Sequence, residues 1–245
     1  MNWQEYYASR TVSADEAALK IKDNDYIVYG HGCGEPILMA EAILKREKEL
    51  NNVRFYHGIG MGPGLYCKPG VDPAHIKHVT VFAGKETRKA VQEGRADCIS
   101  MHFSDMPINM RNGITPVTVS ILHLAPPDKF GYCSMGINCD YERAALETAK
   151  LVIAEINPNM PRTFGNNLVH VSEIDYFVMS DRPIWTMAKP TIGETEKKIG
   201  AFIADMVEDG MTLQIGMGGI PNAIMEALGD KNDLGLHSEL LSDGS

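Results

Sequence analysis

Glu239 closes the run Gly235-Leu236-His237-Ser238-Glu239. A glycine-rich run, Gly216-Met217-Gly218-Gly219-Ile220-Pro221, stands about 20 residues before it. A carboxylate delivered beside such a loop can attack an activated carbonyl. The glycines let the backbone approach a ligand closely. A helix start behind them would offer unpaired N–H groups and a favourable dipole to an anion. The same spacing admits a second chemistry. Gly216-x-Gly218 followed by an acid resembles the dinucleotide fingerprint, in which the acid holds a ribose hydroxyl. Pro221 stands where that fingerprint wants Gly or Ala, which weakens this reading. On a regular strand, His237 shares a face with Glu239, where it either packs or orients the carboxylate. Taken singly, a glutamate after a strand is usually a surface residue, and a glycine turn often binds nothing.

Other residue types offer less. His75 and His78 lie three apart and could share a helix face, but a zinc site needs more ligands at a recognisable spacing. No metal is expected. The five cysteines, Cys33, Cys67, Cys98, Cys133 and Cys139, form no C-x-x-C pair and read as reduced thiols. The net charge of −9 opposes nucleic acid and anionic membrane at long range, and no Lys/Arg cluster offsets it. No apolar run approaches the roughly 20 residues of a membrane span. The start, Met1-Asn2-Trp3-Gln4-Glu5, lacks a basic and then apolar leader, so a cytoplasmic location is expected. No P-loop is present.

These candidates need elements to position them. Ser13-x-x-Glu16 is a capping box that opens a helix to Ile21. Strands are predicted at 25–29, 53–57, 78–82, 96–100, 116–124 and 151–156, with helices at 36–50, 85–93 and 140–150. Two glycine-rich loops follow the first two strands: Gly30-His31-Gly32-Cys33-Gly34-Glu35 and Gly58-Ile59-Gly60-Met61-Gly62-Pro63-Gly64. The alternation predicts an α/β fold with mostly parallel sheets flanked by helices, and ligands gather at the carboxyl ends of such strands. The stretch from Asp181 to Pro190 breaks the rhythm and reads as a linker. It divides an N-terminal α/β domain, residues 1–185, from a second domain beginning near 190 and running to 245. There a helix over 192–208 shows Ile199, Phe202, Ile203 and Met206 on one face, with Gly210 as its C-terminal cap. Strands at 211–215 and 234–238 flank a helix that ends near Leu228. Two parallel strands cannot cover both sheet faces, so the second domain is expected to be incomplete, its missing strands lying on further chain or on a partner.

The run Asp209 to Pro221 is similar to the glycine-loop strand of the family I CoA-transferases. Leu234-Gly235-Leu236-His237-Ser238-Glu239, followed by Ser242-Asp243-Gly244, resembles their glutamate strand. Thr11 to Ala17, Ala154 to Asn157 and Val169 to Asp175 narrow the resemblance to the acetyl-CoA hydrolase/transferase family, whose members are about twice this length. The resemblance implies two CoA-transferase-like domains, the second truncated. It implies CoA transfer between an acyl-CoA and a short-chain carboxylate, with 4-hydroxybutyrate and acetyl-CoA as the leading pair and butyrate next. It assigns Glu239 as nucleophile and Gly216, Met217, Gly218, Gly219 and Ile220 as the CoA-binding loop. It also sets the loop Gly30 to Glu35 facing the site. Coenzyme A thioester is then a co-substrate, no tightly bound cofactor is needed, and the full-length protein is expected to be a homo-oligomer. The readings left beside it are a dinucleotide-dependent oxidoreductase and a CoA-binding fragment without activity.

Overall fold

The computed structural model describes residues 2–241; Met1 and residues 242–245, which include Ser242-Asp243-Gly244, lie outside them. The chain divides into two compact units, 1–186 and 187–245.

The first unit starts with two capping boxes. The Asn2 side chain accepts from the Glu5 amide at 2.8 Å, and the Glu5 carboxylate accepts from Asn2 N–H at 3.2 Å, opening α1 (Trp3–Arg10). After β1 (Thr11–Val12), Ser13 and Glu16 repeat the device for α2 (Ala14–Ala18). Each cap contributes about 1 kcal/mol. There follow β2 (Tyr26–Tyr29), α3 (Ile37–Leu44), β3 (Val53–His57), β4 (Ile76–Thr80), α4 (Arg88–Gln92) and β5 (Ala96–Cys98). The second half adds α5 (Asp105–Arg111), β6 (Val119–Leu124), β7 (Tyr132–Ser134), α6 (Glu142–Thr148), β8 (Leu151–Ile156), β9 (Leu168–His170) and β10 (Tyr176–Met179).

Eight of these strands form one sheet in the order β1-β10-β8-β6-β2-β3-β4-β5, with every pairing parallel. Alternate residues serve opposite faces, as the two-residue period requires. On β6, Val119 and Ile121 join the core under α2 and α3, while Leu122 and Leu124 join a second core with Val152, Ala154 and Ile156 of β8. All six residues of β6 are buried, as befits a central parallel strand covered on both sides. A third core packs Val28 and Tyr56 against Met106 and Met110 of α5 and Ala144 and Ala145 of α6.

The connections run outward in both directions from β2 and β6: β2 leads to β3, β4 and β5, and β6 leads to β8 and β10. The boundary between β2 and β6 is therefore the topological switch point, and the crevice beyond its carboxyl ends is where such sheets receive ligands.

Strands β3 and β8 keep their predicted bounds, whereas β4 starts two residues earlier than predicted, at Ile76. His75 and His78 consequently do not share a helix face. His78 lies buried in β4, and its Nδ1 donates to the Phe55 carbonyl at 3.0 Å; His75 Nδ1 bonds the Leu50 carbonyl at 2.5 Å. The predicted helix 36–50 stops at Leu44 and resumes as a 3-10 turn at Glu47–Glu49.

The second unit comprises α7 (Glu194–Ala204), β11 (Thr212–Leu213), α8 (Gly219–Ala227) and β12 (Gly235–Leu236), with β11 and β12 parallel. Helix α7 does not bury the apolar stripe seen in the sequence. Phe202 and Met206 are 71% and 72% exposed, while Gly200 and Ala204 are buried. The reason is close helix–helix contact. A side chain at Gly200 would lie 2.6 Å from the Ala223 carbonyl on α8, so only the small-residue face fits there. The core of this unit is Ala204, Val207 and Leu228, with Leu213, Ile224, Met225 and Leu234 against it. Gly210 is not the cap of α7, which ends at Ala204 with Asp205 as its C-cap; Gly210 N–H instead donates to the Asn232 carbonyl at 3.0 Å, with φ +79°.

Candidate functional site

In the first unit, the two glycine loops meet beyond the carboxyl ends of β2 and β3. Gly32 N–H donates to the Ile59 carbonyl at 2.8 Å, and Ile59 N–H donates to His31 Nδ1 at 3.3 Å. His31 Nε2 bonds Asp140 Oδ2 at 2.5 Å. Glu35 ends the first loop as a buried carboxylate, 2% exposed. Its Oε1 accepts from Met61 N–H at 3.1 Å and from Gly62 N–H at 2.9 Å; its Oε2 accepts from the Tyr66 hydroxyl at 3.4 Å. Burial pushes the Glu35 carboxyl up to about 7, against the opposing pull of the Gly62, Met61 and Tyr66 hydrogen bonds and of His31.

Tyr66 is bonded in turn to His57 Nε2, and the His57 ring lies 4.3 Å from that of His78. Desolvation holds both histidines neutral: His57 falls well below its ordinary value, and His78 falls to about 3. Two further glutamates are buried in this unit. Glu155, near the end of β8, and Glu142, on α6, are each raised by desolvation. A cleft of about 360 Å³ opens over Glu35, His123 and Glu155, with Ile37, Leu65 and Trp185 among its walls and the Arg182–Glu41 ion pair, 2.7 Å long, beside them. Burial lowers His123 to about 4, so it too is neutral. Perturbed groups gathered in a crevice mark it as a candidate functional site.

Nothing in the sequence marks any of the three buried glutamates as reactive, although Glu35 closes one of the two glycine-rich loops. A glutamate before proline carries no local sign of burial. That comes from β3, β6 and β8 closing around it.

In the second unit, the parallel pair β11–β12 has the register Thr212↔Gly235 and Leu213↔Leu236. His237 N–H continues it, donating to the Leu213 carbonyl at 2.9 Å. Ser238 then pins the two strand ends together: its hydroxyl donates to the Ile215 carbonyl at 2.8 Å and accepts from Ile215 N–H at 3.2 Å. Glu239 and Gly216 are the next residues after this double bond. Both strands are shorter than the sequence suggests, two residues each. Glu239 is exposed, as are Gly216, Met217, Gly218 and Ile220, and Gly219 is half-buried. Gly218 takes φ +126°, a conformation that glycine alone adopts readily, and caps α8. The first bond of that helix runs from Asn222 N–H to the Gly218 carbonyl, so the Gly219 and Ile220 amides precede it and Pro221 forgoes none.

The profile of the acetyl-CoA hydrolase/transferase N-terminal domain matches residues 1–187. The chain belongs to the acetyl-CoA hydrolase/transferase family. It is 42% identical to the 4-hydroxybutyrate coenzyme A transferase of Clostridium kluyveri, over all of this chain and 57% of that protein. It is 36% identical to the succinyl-CoA:cyclohexane-1-carboxylate CoA transferase of Geobacter metallireducens, over 99% of this chain and 55% of that one. The chain thus spans little more than half the length of these relatives. Among solved structures, RipA from Yersinia pestis superposes with a TM-score of 0.94 at 26% identity, covering 100% of this chain and 59% of RipA. The 4-hydroxybutyrate CoA-transferase from Porphyromonas gingivalis does so at 0.80 and 32%, covering 99% and 57%.

Three of the five cysteines are poor candidates for the nucleophile. Burial pushes the Cys67 and Cys133 thiols up to about 12, and that of Cys139 is raised for the same reason. No helix among the described residues is long and apolar enough to cross a membrane.

Proposed function

We propose that this chain serves a CoA-transferase that moves CoA between an acyl-CoA and a short-chain carboxylate, with Glu239 as the nucleophile. The observation that carries the reading is the Ser238–Ile215 double hydrogen bond, which ties together the two strand ends that Glu239 and Gly216 directly follow. The names of the relatives support the class of reaction, and the 42% identity favours 4-hydroxybutyrate with acetyl-CoA as the substrate pair.

The Glu239 carboxylate attacks the thioester carbonyl and expels CoA thiolate, leaving an acyl-glutamyl anhydride. The thiolate then attacks the glutamyl carbonyl of the anhydride. This frees the first carboxylate and leaves a glutamyl-CoA thioester. A second carboxylate attacks that thioester, and the same two steps run in reverse release its CoA ester. Thioester energy is conserved throughout in covalent bonds, so the cycle is ping-pong and consumes no nucleotide. The Gly219 and Ile220 amides at the start of α8 are suited to an oxyanion or a CoA phosphate. Water has to be kept from the anhydride, or the outcome is hydrolysis.

The test uses protein carried to the length of its curated relatives. Acetyl-CoA followed by borohydride should modify the peptide holding Glu239, and Glu239→Gln should abolish both labelling and transfer. An adduct on Cys33, Cys98 or another glutamate would overturn the assignment. NAD(H) should not bind, which separates this reading from an oxidoreductase.

A further inference from the structure

We propose that Glu35 is the positioning residue of the Gly58–Gly64 loop: its buried carboxylate clamps Met61 and Gly62 by their backbone N–H groups, and protonation loosens the clamp. This goes beyond the reading of Glu239 and does not depend on it.

The geometry is that of a built clamp. One carboxylate oxygen takes two successive amides, at 3.1 and 2.9 Å, from a loop 26 and 27 residues away in sequence. The backbone comes so close that a side chain at position 62 would lie 2.7 Å from the Glu35 carboxylate, and one at position 60 would lie 3.0 Å from the His57 ring. Glycine at both positions is thus what lets the loop reach the carboxylate. The clamped segment leads directly into Pro63 and Leu65, which form one wall of the cleft that Glu35 itself lines. The state of one carboxyl therefore sets the shape of that wall.

A buried carboxylate is an expensive way to hold a loop when a neutral amide would make the same bonds. What it adds is response to protons. Ionised, Glu35 receives two charge-assisted bonds from the loop. The Tyr66 hydroxyl then donates to it, and His57 donates to Tyr66. Once protonated, Glu35 has a proton of its own to place. It donates to the Tyr66 oxygen, Tyr66 donates to His57 Nε2, the single ring proton of neutral His57 is then carried on Nδ1, and the bonds from Met61 and Gly62 lose their charge assistance. Burial sets the changeover at about pH 7. The groups that face Glu35 are known on every side. Tyr29 of β2 and Tyr66 and Cys67 after the loop stay uncharged, their own values raised by burial. His57 and His123 are neutral, held so by burial. His31 lies on its own loop, and across the cleft stand Glu155, Glu41 and Arg182. Glu155 is raised and Glu41 is paired with Arg182.

The experiment is NMR on the 245-residue chain, reading the Met61 and Gly62 amide shifts and hydrogen-exchange protection factors between pH 5.5 and 8.5. In the wild type both amide shifts should titrate with a midpoint near 7. For local openings that break these two bonds while Glu35 stays buried, protection should be roughly tenfold higher on the alkaline side, as two bonds gain charge assistance, whereas openings that solvate Glu35 follow the opposite, global trend. Glu35→Gln keeps an acceptor for both amides but cannot ionise, so it should hold protection within a few-fold at all pH values and abolish the titration. Glu35→Ala should lose protection at Met61 and Gly62 while Ile121 in β6 stays protected. A flat wild-type profile would overturn the proposal, and so would a titration that persists in Glu35→Gln, since the responding group would then be His31 or another neighbour. If Glu35→Ala does not fold, the wild type and Glu35→Gln decide the matter between them.

Discussion

Replacing Glu35 by Gln should make the protein more stable, and the gain should depend on pH. The folded-state value of about 7 compares with an ordinary value of 4.5, a gap of about 2.5 units. At 1.36 kcal/mol per unit, this is about 3 kcal/mol. The sign follows from linkage. The folded state binds a proton that the unfolded chain releases between pH 4.5 and 7, so stability falls as pH rises through that window. Below it the carboxyl is protonated in both states and the penalty vanishes; above it the whole penalty is paid. Gln does not titrate. It keeps an oxygen for the Met61 and Gly62 amides and an amide group to turn toward Tyr66. The variant should therefore gain about 3 kcal/mol over the wild type at pH 8 relative to pH 4.5. For a chain of this size that is roughly 6–12 °C in Tm. Urea or thermal unfolding at pH 4.5, 6, 7 and 8, followed by far-ultraviolet circular dichroism, measures it. Glu142 and Glu155 are raised by burial in both proteins and cancel in the difference. Parallel stability curves for the two proteins would refute the reasoning, because the Glu35 carboxyl would then ionise as freely in the fold as in the open chain.

Glu239→Asp withdraws the carboxylate by one methylene and should cost on the order of 10²-fold in transfer, since a misplacement of about 1 Å has that effect; a near-wild-type kcat in protein of the relatives' length would make Glu239 a bystander. Ser238→Ala removes both bonds to Ile215 and should destabilise the second unit by about 1–2 kcal/mol, seen as faster amide exchange at Ile215 and His237. Ile121→Ala, in the middle of the buried central strand, should cost about 3 kcal/mol by urea unfolding, within the usual range for such truncations. The segment between the two units should be cut by chymotrypsin at Trp185, which is 40% exposed, releasing a resistant N-terminal piece. Trypsin should spare it, because Arg182 and Lys189 both precede proline; resistance to chymotrypsin would show this segment to be held.

Much of the fold is written in local pattern. The capping box at Ser13 and Glu16, the apolar runs of β3 and β8, and the strand–helix alternation follow from residue type and spacing, because side-chain period and cap chemistry act over only a few residues. The Glu239 segment and its glycine loop stand out through their resemblance to a family. Other features escaped because their cause is not local. Helix α5 opens around Pro107, which a single sequence reads as a breaker but which the first helical turn tolerates. Strand β10 is four residues long and is defined mainly by its pairing with β8 and β1. The stripe of Ile199, Phe202, Ile203 and Met206 looks like the buried face of α7, yet Gly200 and Ala204 make the contact, since only small residues admit the α8 backbone at that distance.

The clearest division lies at Glu35. Its type, its place before Pro36 and its glycine-rich neighbourhood are plain in the sequence, and so is the second loop with its glycines at 58, 60, 62 and 64. That these two loops touch, that one carboxylate oxygen takes both Met61 and Gly62, and that the group is buried enough to titrate near 7 were decided only when β2 and β3 paired in parallel and β6 and β8 closed the other side. A residue type sets which proton equilibrium is available. The solvent and the donors around the group set where it lies, and those are gathered from distant parts of the chain by the fold.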